Sequence, residues 1–140
     1  MIKYQDYFQD GYRYALENVT YVRIPEKSPL PTEHSLVYAD SFSVSDRDEQ
    51  DVHVRYTRHT YFDPTGVFDI TITFDLVFAF KKSNASKTIT NDSIVELLEN
   101  SEFTAEVIAK ASLLISQITL LGTLNPVILP PNYNKNSSQE

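Results

Sequence analysis

The side chains with the most chemical potential are three histidines, His34, His53 and His59, and an acidic run of Asp46, Asp48, Glu49 and Asp51. His53 and His59 fall in phase on one extended stretch, but six residues of strand put them about 20 Å apart, too far for one metal ion. They read as solvent-facing strand histidines. The acidic run lacks the central glycine and the correctly offset terminal glutamate of a calcium loop, so it reads as a solvated turn. With no cysteine in the chain, a Cys–His couple and a disulfide framework are both excluded. Three glycines cannot build a phosphate-cradling loop, and no Gly-x-Ser-x-Gly elbow occurs. The expectation is a binding protein with no catalytic residues, no metal and no cofactor.

The charge balance narrows what is bound. Twelve Lys and Arg against nineteen Asp and Glu give a formal net charge of −7 over 140 residues. Phosphate backbones need clustered cations, and the only adjacent pair here is Lys81-Lys82, so no nucleic-acid partner is expected. Met1 to Asp10 carries Asp6 and Asp10 and no apolar run, which predicts no signal peptide and a cytoplasmic protein. In that setting the Asn18-Val-Thr, Asn84-Ala-Ser, Asn91-Asp-Ser and Asn136-Ser-Ser tripeptides are chance matches to a glycosylation site. The most apolar stretch, Val107 to Leu121, is shorter than a membrane span and contains Lys110 and Gln117, so no membrane insertion is expected.

The elements that would position a binding surface emerge from periodicity. From Phe68 to Phe80 every even position is apolar (Phe68, Ile70, Ile72, Phe74, Leu76, Phe78, Phe80), while Asp69, Thr71, Thr73 and Asp75 alternate with them. Such a strand has one buried and one wet side, and each buried side chain contributes roughly 1.5–3 kcal/mol. Asp63-Pro64-Thr65-Gly66 has the chemistry of a type I turn, so Val52 to Phe62 should pair antiparallel with it. The even positions Val52, Val54, Tyr56 and Phe62 form that strand's buried face, interrupted by Arg58 and Thr60. Strands over about His34 to Ser45 and Leu16 to Ile24 complete a set of four, the earlier one ended by Pro25, Pro29 and Pro31.

Two helices come next along the chain. Ser93-Ile-Val-Glu96 reads as a capping box for a short helix to about Glu99, and Thr104 as the cap of a longer one ended by Gly122. Val107, Ala111, Leu114, Ile118 and Leu121 form one stripe of the long helix. Ile108, Leu113, Ile115 and Leu120 extend the apolar surface well past it. A helix apolar on nearly all sides needs burial on nearly all sides. These five stripe residues therefore predict an oligomer interface; the alternative is a monomer whose N-terminal segment wraps over the helix.

The end of the long helix, Ile115-Ser-Gln-Ile-Thr-Leu-Leu-Gly122, and the segment after it, Pro126-Val-Ile-Leu-Pro-Pro-Asn-Tyr133, resemble the C-terminal signature of the SecB export chaperones. The order of elements, four strands, a short helix and a long helix, is similar as well. The resemblance implies an α+β fold: a four-stranded antiparallel sheet with a long C-terminal helix packed on one face. It implies one SecB-like domain over residues 1–133; where SecB continues into a further helix this chain departs from the family, and the polar residues 134–140 read as a disordered tail. It also implies an ATP-independent holdase that keeps unfolded or partially folded polypeptides in a hydrophobic groove, a homo-oligomer (dimer or tetramer), and protein export with the SecA motor as a partner. The alternative is a dedicated chaperone or partner-binding protein for one client, such as a toxin–antitoxin or phage component.

Candidate groove residues are Tyr38, Phe42 and Phe62 on the floor and Val127, Ile128 and Leu129 on a wall. Prolines on both sides keep Val127 to Leu129 extended. For each of the six, plain packing of the sheet core or of its end is the competing reading.

Overall fold

The alternation in the sequence translates directly into a sheet with one dry side. In the computed structural model, which describes residues 3–25, 35–64, 66–81, 85–100, 102–122 and 126–135, four antiparallel strands run β1 (Arg13–Arg23), β2 (Ser35–Arg47), β3 (Asp51–Asp63) and β4 (Phe68–Ala79). Their order across the sheet is β1-β4-β3-β2, which leaves β1 and β2 as the two edges. All the even-numbered apolar residues from Phe68 to Phe80 are buried, and Asp69, Thr71 and Asp75 lie on the outer face.

β3 departs from the expected interruption. Arg58 and Thr60 are as fully buried as Val52, Val54 and Tyr56, so the inner face continues unbroken through a charged residue. β1 also departs from simple alternation. A bulge between Leu16 and Asn18 shifts the register, so Leu16 faces Phe74 and Val19 faces Ile72. Two residues three apart thereby share the inner face, the usual consequence of one extra residue in a ladder. At the β3–β4 connection the Asp63–Pro64 bond is cis and Val67 has φ 62°, and Thr65, a central residue of the expected type I turn, lies outside the described residues. Pro29, Pro31 and His34 lie outside them as well.

The dry face is covered by helices. A short α1 (Tyr4–Tyr7) leads into Phe8, which stacks on Phe80. α2 (Ala85–Thr88) and α3 (Asn91–Glu99) lie towards β2, where Arg47 donates to the carbonyls of Ser86 and Ile89 and to Asn91 Oδ1. The cap of α3 is Thr90 rather than Ser93: its Oγ1 accepts from the Ser93 amide at 3.1 Å, so the helix starts three residues earlier than predicted. A 3₁₀ turn, Glu102–Thr104, feeds the long helix α4 (Ala105–Gly122), which crosses β4 and β1.

One side of α4 completes the core with Val107, Ile108, Ala111 and Ile115. The opposite flank is open: Leu113, Leu120 and Leu121 are 51%, 58% and 90% exposed. On the inner face of β1, Leu16 is 48% exposed. No helix among the described residues is long and apolar enough to cross a membrane.

Candidate functional site

β2 and β3 are joined by a tight charged turn in which Asp48 Oδ1 accepts from the amides of Gln50 and Asp51, a fit that holds its carboxyl below the usual range. Asp40 and Arg58 sit nine residues either side of Glu49, and the hairpin register sets them opposite each other on the inner face. Both are buried with no exposed side-chain surface. Arg58 Nε donates to Asp40 Oδ1 at 2.7 Å and Nη2 to Oδ2 at 2.8 Å. Its other N–H groups reach Ser112 Oγ on α4 (2.6 Å) and the carbonyls of Pro130 (3.0 Å) and Asn132 (2.9 Å). Every donor of the guanidinium is thereby used. Its carbon also lies 4.8 Å from the Tyr38 ring centre, over the ring face.

Asp40 is equally well met. Oδ1 also accepts from Tyr56 Oη at 2.7 Å, and Oδ2 from the Asn134 amide at 2.8 Å. Burial, and then the charge of Asp40, push the Tyr56 phenol far above its ordinary pKa, so it stays a donor. Burial opposes the charge on Arg58, but the bonds and field of Asp40 outweigh it and hold the guanidinium protonated. A buried ion pair is tolerable only when its remaining bonding capacity is filled in this way.

The consequence is that Arg58 fixes the path of the C-terminal segment. Val127 N–H donates to Thr119 Oγ1 at 2.7 Å, Leu129 is buried, and the Pro130 and Asn132 carbonyls are pinned by Arg58. Tyr133 then stacks on Phe42 with ring centres 5.1 Å apart and planes 9° apart, and its hydroxyl donates to Glu99 Oε2 at 2.9 Å. Burial, reinforced by Glu99, raises the Tyr133 pKa. Asn134 and Lys135, which the sequence assigns to the tail, are held on β2: Asp40 N–H donates to the Asn134 carbonyl at 2.7 Å, and Lys135 forms a single parallel bridge with Asp40. Residues 136–140 lie outside the described residues.

Of the predicted groove residues, Tyr38 lies under Arg58, Phe42 stacks on Tyr133, Val127 is tied to Thr119 and Leu129 is buried, whereas Phe62 packs edge-on against Phe68 at the far end of β3. Ile128 points outward and is 76% exposed. Phe42 is buried between Tyr56 and Tyr133, so its ring is covered by the chain itself. The open space lies beside it, along the free edge of β2. One cavity of about 310 Å³ lies between Asp40, Phe42, Glu99, Tyr133 and Lys135 and reaches round to Thr57 and His59 on the outer face. A second of about 320 Å³ lies between Phe42, Val44, Asp92 and Val95. They share Phe42 and form a shallow trough between a sheet edge and α3.

The predicted interface stripe divides. Val107 and Ala111 are sealed inside the chain's own core and have no surface for a second copy, because the helix lays this part of its stripe on β4 and β1. Leu114 and Ile118 are half-buried and Leu121 is open. His53 and His59 stand apart on the outer face, His53 beside Asp75 at 3.1 Å and His59 beside Asp69 at 2.9 Å. Among the described residues no group of three or more His, Asp or Glu side chains is placed to hold a metal ion.

No protein-family model matches the sequence, and no curated protein matches it. Among solved structures, the fold is similar to the Mycobacterium tuberculosis Rv1957 SecB-like chaperone in complex with a ChAD peptide from the Rv1956 HigA1 antitoxin. The TM-score is 0.58 at 13% identity, over 85% of this chain and 86% of that one. At that identity the likeness establishes architecture: a four-stranded antiparallel sheet carrying a long C-terminal helix, the SecB-like fold.

Proposed function

We infer that the chain is a holdase chaperone that keeps non-native polypeptides extended along the β2 edge. The observation that carries this reading is the SecB-like fold, in a chain whose β2 edge lies open beside aromatic rings and the apolar surface of α3. A non-native chain presents apolar side chains and unpaired backbone; the trough takes up the first and a sheet edge bonds the second. Weak contacts repeated along one client add through effective concentration, so holding needs neither nucleotide nor a reaction. Tyr38, Phe42, Val127 and Leu129 then act as the supported wall of the site, with Ile128 as an exposed apolar contact, and Phe62 lies at its far margin.

Self-association belongs to the same reading. Leu113, Leu120 and Leu121 on α4, with Leu16 on β1, make an apolar surface that a second copy would bury, giving a dimer or tetramer with several troughs. Leu114 and Ile118 form the inner margin of that contact. Export with SecA and service to a single client are the two cellular roles in view. The antitoxin peptide bound by the structural neighbour favours the dedicated role; a cytoplasmic setting fits either role.

The test is suppression of aggregation of a slow-folding apolar client at near-stoichiometric ratio. No suppression by the folded protein would reject the holdase reading. Affinity capture then separates the two roles: one recurrent partner supports the dedicated chaperone, and a spread of unfolded chains supports general holding.

A further inference from the structure

The C-terminal segment is anchored unevenly. Up to Asn132 it is tied to buried groups: Leu129 lies in the core, and Arg58 holds the Pro130 and Asn132 carbonyls. From Tyr133 onward it lies on the margin of the trough, where Asn134 alone reaches inward: its amide donates to buried Asp40 Oδ2 at 2.8 Å and its Nδ2 to the Tyr38 carbonyl. Tyr133 and Asn134 are half-buried, and the Lys135 side chain is 76% exposed. The contacts of these three residues are those an extended client would make there. Asn134 pairs its carbonyl with the outward Asp40 amide, Tyr133 stacks on Phe42, and Lys135 Nζ lies 3.8 Å from Glu99. The pairing stops at a single bridge, and the trough continues past it along Phe42 and Val44.

We propose that Tyr133–Lys135 is a built-in competitor: it occupies one end of the β2 edge as a client would, and a bound client displaces it. The inference rests on the client-binding reading of the trough. Its consequence is a threshold. A segment closed nine-tenths of the time lowers the apparent affinity about tenfold, so only clients with several apolar stretches are held firmly. The hinge is the step from Asn132, fixed by Arg58, to Tyr133.

The experiment uses the full chain and a dye-labelled, reduced and carboxymethylated α-lactalbumin as the unfolded probe. Hydrogen exchange at the Asn134 amide, which donates to buried Asp40 Oδ2, reports release of the segment. Saturation with the probe should strip that amide of protection, while the Asp40 amide stays protected by the client's backbone. Tyr133→Ala should lower the probe's dissociation constant about tenfold, and an unchanged constant would overturn the competitor. Saturable probe binding with Asn134 still protected would overturn the competitor and leave the holdase reading standing. Absence of any probe binding by the folded chain would overturn both.

Discussion

Replacing Arg58 by methionine removes the side chain that joins the sheet, α4 and the C-terminal segment. The change leaves Asp40 buried with only the Tyr56 hydroxyl and the Asn134 amide against its charge, and takes the donors from the Pro130 and Asn132 carbonyls. Removing one partner of a buried pair costs about 3–5 kcal/mol, because the other charge is stranded. Against a typical total of about 5–15 kcal/mol this is a large fraction. Urea unfolding followed by circular dichroism should show the midpoint falling by about 2 M at unchanged slope, for a slope near 2 kcal/mol/M. Adding Asp40→Leu should restore much of the loss, since the stranded charge is gone, while the Asn132 carbonyl remains without its Arg58 donor and the Pro130 carbonyl keeps only Ser112 Oγ at 3.4 Å. The coupling between the two sites should therefore exceed about 1 kcal/mol in a double-mutant cycle. An Arg58→Met protein within about 0.5 kcal/mol of the parent would refute the assigned role of this pair, since that is the range of an inconsequential surface change.

Thr60 Oγ1 is buried with no hydrogen-bond partner among the described residues, so Thr60→Val should raise stability by about 1 kcal/mol in the same assay. Leu121→Glu places a charge on a residue that is 90% exposed in the single chain; light scattering should show a smaller assembly with the unfolding midpoint of the isolated chain retained. Burial raises the Tyr4 and Tyr12 phenols from an ordinary 10.0 to about 12. Between those values the folded chain holds protons that the unfolded chain has lost, so stability is full below pH 10 and falls as pH rises towards 12. A flat stability profile across that window would show that these half-buried phenols are not shielded from water in the folded chain.

What the sequence made legible is what a period-two or helical stripe can encode. β4 and the first half of β3 are readable from uninterrupted alternation, and the long helix from its stripe. The strand order is not, because apolar phase says which face is dry and nothing about which strand lies beside which. The β1 bulge hides Leu16 and Val19 in opposite phases of an alternating reading, although both face inward. Arg58 was a break in the pattern when taken alone. Its signal lay in the pairing: Asp40 is in phase with Tyr38 and Phe42, and is equidistant with Arg58 from the turn at Glu49. An opposite charge on each facing apolar stripe, in register, is the mark of a buried pair. The C-terminal path was legible only as an extended apolar stretch between prolines. Its attachment to β2 depends on backbone carbonyls meeting Arg58, which no side-chain pattern announces.

The most direct measurement is photo-crosslinking of a bound unfolded chain from a benzoylphenylalanine placed at Val95, which lines the trough on α3, and separately at Thr71 on the outer face. A client held along the β2 edge should crosslink more efficiently from position 95 than from position 71, which lies beside His59 where the trough reaches the outer face. Crosslinking from the outer face alone, or none from either position while the probe is bound, would contradict the placement of clients in this trough.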